Sequence, residues 1–410
     1  MTAPKKFRAA CYTIEGINSF AVVIYFNYLF FFFRDKFGFN DRENLELAAL
    51  LGVIYVFAAW QAGKFAQRGG NFTALKIGFA VMAAGLAIGS QLDSVAGQIA
   101  AACVVNVGMC FTWPVLEALV SEGADAARAV GIYNITWAVN NAVAFFLGGL
   151  LIEKLGYQSM FYVPLGFMLL QFGMVFWLEK IQPQSSGTGV SPVQPKGVSP
   201  SMAQPGRDAR PADRRDARPT MPARAKDFQR LAWLANPFAY LAINTLIAVL
   251  PGIAAKFQLS PMEAGFMCSL WCFARVIAFI VLWKWAGWHY RFRWLVSAYG
   301  LLIISFAMIL MAHSLAAIVI AQLFFGVTVG LMYYSSLFYA MDASETKSEH
   351  GGIHEAAIGV GNFLGPAVGA AAIWFAPQSA TAGAWAVSGL LAAGLGGLLW
   401  LRPRRVEPEA

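Results

Sequence analysis

"GIYNITWAVNNAVAFFLGG" (131–149) and "GIHEAAIGVGNFLGPAVGA" (352–370) read as one stretch written twice. At an offset of 221, Gly131 meets Gly352, Ile132 meets Ile353, Val139 meets Val360, Asn141 meets Asn362 and Gly148 meets Gly369. A second pair, "KFGFNDRE" (36–43) and "KFQLSPME" (256–263), matches at an offset of 220. Each member of that pair predicts a helix start, at Asn40 with Glu43 and at Ser260 with Glu263. A side-chain oxygen at the cap accepts from the third helical amide, and the glutamate reaches back to the cap's own N–H. Two parallel copies of one unit therefore make up the chain.

The surrounding residues say what the unit is made of. Of the 410 residues, 58% are hydrophobic and only 13% charged. Soluble domains carry about 25% charged residues, so the composition is that of a polytopic membrane protein. Crossing a bilayer takes about 20 apolar residues. Stretches that qualify lie near 11–33, 44–65, 72–91, 96–120, 129–152, 157–178, 229–255, 262–285, 292–312, 315–341, 352–375 and 380–401. After the basic start MTAPKKFRAA, the first runs to Phe33 without a small-residue cleavage site, so it is expected to remain as a span. The fold class is all-α, with twelve transmembrane helices in two pseudo-symmetric six-helix bundles.

Between spans six and seven the chain changes character. Residues 182–227 are rich in Pro, Ser, Gly and Arg and repeat GVSP and RDARP. Such a segment cannot bury a core and is expected to be disordered. The organisation is then 1–180 for the first bundle, 181–228 for the linker, 229–401 for the second bundle and 402–410 for a tail. Lys and Arg set the orientation. The termini, the linker and the even-to-odd loops hold 24 of the 30, against five on the other side (Arg34, Lys36, Arg42, Lys154 and Lys256) and one, Arg275, inside a span. Both termini and the linker are expected to be cytoplasmic, in the plasma (inner) membrane. The basic linker is read as a solvated spacer that can also touch anionic lipid.

Repeated six-helix halves joined by a long loop are a transporter architecture, with the site expected between the halves near the midplane. Two further motifs carry a resemblance to the major facilitator superfamily. "GKFAQRGGN" (63–71), between spans two and three, has Gly63, Arg68 and Gly70 where the family pattern places them, with Gln67 in place of an aspartate and Asn71 in place of a basic residue. "GNFLGPAVGA" (361–370), in span eleven, is similar to the family's Gly-x-x-x-Gly-Pro-x-x-Gly-Gly pattern of span five. The resemblance implies a cavity lined by spans one, four, seven and ten, and an interface between halves made by spans two, five, eight and eleven. Gly361, Gly365 and Gly369 also have a direct reading. They are four apart, so a neighbouring backbone can come close, and Pro366 permits a bend.

Ionisable residues within spans are functional candidates by default. They are Glu15, Glu117, Arg275, His354 and Glu355. Arg275 lies at the depth of Asn140 and Asn141 in span five, so these amides are its expected neighbours. It either locks the halves together or faces the cavity and contacts substrate or a coupling carboxylate, with Glu15, Glu117 and an anionic substrate as the candidate counterions. The remaining substrate-binding candidates are Asn18, Asn27, Asn244, Tyr333 and Tyr334. Tyr25, Asn106, Trp113, Tyr240, Gln322, Ser335, Ser336 and Tyr339 join them as possible lining. Glu15 and Glu117 are the candidate proton carriers. Gate contacts are expected from His354 and Glu355, and from Glu117 pairing with Arg128 or Arg68. "HEAAI" (354–358) lacks the second histidine of a zinc-protease motif. The five cysteines all lie in apolar runs and are read as small buried hydrophobes. No metal, cofactor, nucleic acid or enzymatic activity is expected. The run GVGNFLG (359–365) follows no strand, so no nucleotide site is read there. The expected function is a monomeric secondary transporter in the lipid bilayer, moving a small polar or anionic solute by alternating access with protons as coupling ion. The alternative is a transporter-like sensor that signals through the linker.

Overall fold

The computed structural model describes residues 5–121, 126–182, 221–342 and 347–402. Among these, the first half contains α1 (Lys5–Phe37), α2 (Asp41–Gly69), α3 (Asn71–Gly89), α4 (Val95–Cys110), α5 (Trp113–Ser121), α6 (Ala126–Leu155) and α7 (Ser159–Lys180). The second half contains α8 (Met221–Lys256), α9 (Pro261–Lys284), α10 (Phe292–Met311), α11 (Leu315–Asp342), α12 (Lys347–Phe375) and α13 (Ala382–Trp400). With α4 and α5 counted together, twelve of these helical stretches are long and apolar enough to cross a bilayer. The chain is an integral multi-pass membrane protein.

The repeat holds at the level of single hydrogen bonds. Asn40 Oδ1 accepts from the Glu43 amide at 3.1 Å, and Glu43 returns a carboxylate to the Asn40 N–H at 2.8 Å. Ser260 and Glu263 repeat this at 3.2 Å and 2.8 Å. Upstream, α1 and α8 both end at a left-handed residue, with the bond that follows spanning six residues in one and five in the other. Gly38 (φ 74°) and Gln258 (φ 54°) are both left-handed. The amide of Phe39 bonds back to Phe33 O, and that of Leu259 to Ala254 O. Asparagine- and glycine-type residues tolerate this conformation best, so Gln258 adopts it against its preference to preserve the repeated turn.

Two boundaries differ from the sequence reading. Span four breaks at Phe111–Thr112, just before Pro114, which has no N–H to continue the ladder. Asn18 Nδ2 donates to Thr112 Oγ1 at 3.2 Å and ties the break to α1. The linker assigned to 181–228 ends early, because α8 begins at Met221. Its first turns are anchored by Phe228, which is buried against Tyr290 and Tyr339. Residues 183–220 and 403–410, which hold most of the expected linker and tail, lie outside the described residues.

The halves meet along two long helix pairs, α2 with α12 and α6 with α9. These are spans two with eleven and five with eight, as the resemblance implied. Glycine allows both close approaches. Gly52 faces the backbone of Asn362 and Phe363, and Gly149 faces that of Pro261 and Met262. Gly361 and Gly365 serve a different contact. A Cβ there would collide with the carbonyl oxygens of Pro237 and Leu241, so this stripe packs α12 on α8 inside the second half. Gly369 instead faces Leu45 and Val387. Pro366 is accommodated within the continuous helix α12.

Candidate functional site

The two halves enclose one central cavity of about 190 Å3. Its walls come from α1, α2, α4, α5, α6, α8, α9, α11 and α12. Pockets for drug-sized ligands begin at about 300 Å3, so in this conformation the occupant is a small solute.

Arg275 is the only Lys or Arg in the cavity wall among the described residues. It is 5% exposed, and its guanidinium carbon lies 4.5 Å from the Trp137 ring centre and 4.8 Å from that of Trp271. Both lie within the ~6 Å range of cation–π attraction, worth about 0.5–2 kcal/mol each. The two indoles come from different halves, and Trp271 sits one turn from Arg275 on α9. Trp137 is fixed in turn by its N–H to Asn134 Oδ1 at 3.1 Å and by edge contacts to Phe279 and Tyr333. The expected bonds to Asn140 and Asn141 do not form. Asn140 donates to Thr136 O at 2.8 Å and packs on Gly16, while Asn141 lines the cavity one turn from Trp137 with no partner for Oδ1. The reason is steric: indoles, not amides, take the space beside the guanidinium. No ion pair joins Arg275 to any described residue, and its Nε lacks a hydrogen-bond partner.

Three carboxyls share the cavity: Glu15, Glu117 and Glu355. Glu15 is 1% exposed; Oε1 accepts from Ser19 Oγ at 2.9 Å, the Tyr133 hydroxyl lies beside the carboxyl, and Oε2 makes no bond of full hydrogen-bond geometry. Glu355 accepts from the Tyr55 hydroxyl of the other half. The sequence reading grouped Glu355 with gate residues, whereas it lies in the cavity wall. Beside it, His354 faces away, toward Asn236 Nδ2 (3.3 Å) and Ser336 Oγ (3.1 Å). Glu117 pairs with neither Arg68 nor Arg128, both of which are exposed. Gly63 is buried, and Gly70 (φ 87°) forms the one-residue turn between α2 and α3.

Of the other lining candidates, Asn27, Asn106, Trp113, Tyr240, Asn244 and Tyr333 are in the wall. Asn244 donates to Asn362 Oδ1 across α8 and α12. Asn18, Tyr25, Gln322, Tyr334, Ser335, Ser336 and Tyr339 are not in the wall. Tyr334 packs on Phe279 and Trp288 instead. The sequence reading missed Tyr55, Tyr133, Trp137, Trp271 and Asn362, all on spans assigned to the interface. A signal for them existed. Tyr133, Trp137, Asn141 and Phe145 recur every four residues, which puts them on one helix face, and all four line the cavity. Among the described residues no group of three or more His, Cys, Asp or Glu could hold a metal ion.

Two contacts close the halves on each other at the face that carries the α1–α2 and α8–α9 turns. There the Met262 amide donates to Glu153 Oε2 at 3.2 Å, and the Arg42 guanidinium lies 4.8 Å from the Trp374 ring centre. These two contacts are related by the repeat: Arg42 corresponds to Met262, and Glu153 to Trp374. Residues 232–410 match the family model of the Major Facilitator Superfamily. The fold is that of the Major Facilitator Superfamily. In three dimensions the chain is similar to a point mutant of the nucleoside transporter NupG, with TM-score 0.70, 11% identity, and coverage of 97% of this chain and 100% of that one. It is also similar to the human organic anion transporter MFSD10 (TETRAN), with TM-score 0.65, 14% identity, and coverage of 96% and 100%. A structure described under substrate recognition in proton dependent oligopeptide transporters gives TM-score 0.67, 14% identity, and coverage of 96% and 97%. No curated protein matches the chain in sequence. In major facilitator terms, α4 and α5 together are span four, and the cavity lies where the family's two bundles meet.

Proposed function

We propose that the chain is a secondary transporter that moves a small solute bearing an anionic group by alternating access, with protons as the coupling ion. One observation carries the reading. Arg275 is buried, has no ion pair among the described residues, and sits in a cavity walled by both halves. Removing the partner of a buried charge costs about 3–5 kcal/mol, so a charge kept unpaired there has a partner that comes and goes. Arginine suits that role because its planar fork matches a carboxylate or phosphate. Its guanidinium carbon lies over the rings of Trp137 and Trp271, and its N–H groups make no ion pair among the described residues. Glu15, Glu117 and Glu355 are the carboxyls placed to carry protons, and Glu355 is the one bonded across the halves. The charge asymmetry of the loops supports a cytoplasmic linker face, with the α1–α2 and α8–α9 turns outside, in the plasma (inner) membrane.

The test is solute flux in proteoliposomes. A pH gradient should drive uptake of a solute that also exchanges at zero gradient. Solute binding without flux under any gradient would overturn the transporter reading in favour of a sensor.

A further inference from the structure

The unpartnered polar atoms of the cavity divide by wall. Arg275 and Trp271, one turn apart on α9, supply donors that lack acceptors: the guanidinium Nε and the indole N–H. Glu15 on α1 and Asn141 on α6 supply acceptors without a full hydrogen bond: Oε2 and Oδ1. All four residues line the one cavity, and Arg275, Trp271 and Glu15 are each at least nine-tenths buried. Buried polar atoms are ordinarily paired; these four are closed off from water in this conformation and sit in the wall of the cavity, where a bound molecule and a small movement of the wall would pair them.

Contacts along α6 set their relative depth. Gly16, next to Glu15, packs on Thr136 and Asn140, while Trp137 in the same turn stacks on Arg275. Glu15 and Arg275 therefore lie at one level, on opposite sides of the Trp137 turn. Two turns further along, Phe145 meets Trp271, so Asn141 lies between the level of Arg275 and that of Trp271. The two donors on α9 and the two acceptors on the first half thus lie within the same two turns of the cavity wall.

The geometry points to a zwitterionic solute, a small amino acid whose carboxylate rests on Arg275 and the Trp271 N–H and whose ammonium is held by Glu15 and Asn141. This deepens the transporter reading and rests on its cavity. A simple anion would satisfy Arg275 but leave the acceptor wall unpaired, and a simple amine would do the reverse. A zwitterion satisfies both and draws the two halves together over it. The cavity volume of about 190 Å3 favours a single amino acid over a peptide.

The experiment compares matched probes on the purified full-length protein: L-leucine, 4-methylpentanoate and 3-methylbutylamine, with L-phenylalanine, 3-phenylpropionate and phenethylamine as a bulkier set and a panel of further L-amino acids. Binding is read by thermal shift and calorimetry, and counterflow by labelled solute in proteoliposomes. At least one amino acid should bind about tenfold or more tightly than both of its half-molecules. Glu15→Gln should erase its advantage over the carboxylate, and Arg275→Lys its advantage over the amine. Glu15→Asp, which keeps the charge, should retain part of the advantage and guards against a folding defect. The proposal is overturned if the carboxylate alone binds as tightly as its amino acid, if the amine alone does, or if no amino acid binds. Binding with the predicted ranking but without counterflow would count against transport alone and support the zwitterion site.

Discussion

Gly149→Leu should open the closed face. Gly149 lies where α6 meets the start of α9, and any Cβ there runs into the Pro261 carbonyl oxygen. That oxygen is backbone at a helix start, so it cannot rotate away. A leucine is accommodated only if α6 and α9 separate at this face. Overpacking of this kind costs about 1–3 kcal/mol, here charged entirely to the closed arrangement. At about 1.4 kcal/mol per factor of ten, the balance should move roughly 5- to 150-fold toward opening. The helix itself is not weakened, since leucine is a better helix former than glycine by up to about 1 kcal/mol. Cys272 lines the cavity and serves as reporter once Cys11, Cys103, Cys110 and Cys268 are replaced by serine or alanine. A membrane-impermeant maleimide added at the closed face should label Cys272 at least about fivefold faster in Gly149→Leu than in the parent. Gly166→Leu is the control, because nothing lies within 4 Å of a Cβ there. Equal labelling rates for Gly149→Leu and its parent, with both proteins folded, would refute the reasoning.

The repeated caps give matched stability effects: Asn40→Ala and Ser260→Ala should each cost about 1 kcal/mol, read as a lower melting temperature without loss of solute binding. Replacing residues 183–220 with a Gly/Ser tether of similar reach should leave insertion and flux nearly intact, and lost flux with normal insertion would favour the sensor reading. Among Glu15→Gln, Glu117→Gln and Glu355→Gln, at least one should abolish pH-driven uptake yet preserve exchange of the same solute. Wild-type pH dependence in all three would remove them from coupling.

The repeat was readable because helix starts and glycine contacts are local demands on the chain. Asn40 with Glu43 and Ser260 with Glu263 announce their hydrogen bonds by residue type and spacing alone, and both capping boxes form. Apolar length located the spans, with the start of α8 the largest departure. The cavity was less legible, because its wall depends on which helix faces turn inward. Arg275 and Asn141 could be matched in depth, but depth does not say what fills the space beside a guanidinium. The indoles of Trp137 and Trp271 fill it, and large aromatics are common in any apolar span. Tyr334 illustrates the converse error. Adjacent to Tyr333, it shares its chemistry, but the neighbouring position points to Trp288 rather than the cavity. The early start of α8 escaped for a further reason: composition near Met221 is polar, and only the tertiary contacts of Phe228 reveal a packed helix.

The central claim is that Arg275 is kept unpaired to receive the solute. Its most direct test is affinity and melting temperature on the same preparations of wild type and Arg275→Lys, using a solute that supports counterflow. Lysine keeps the charge but loses the planar fork. The account predicts at least about a tenfold loss of affinity, roughly 1.4 kcal/mol, at a nearly unchanged melting temperature. Unchanged affinity with a lowered melting temperature would contradict it and make Arg275 a structural lock between α6 and α9.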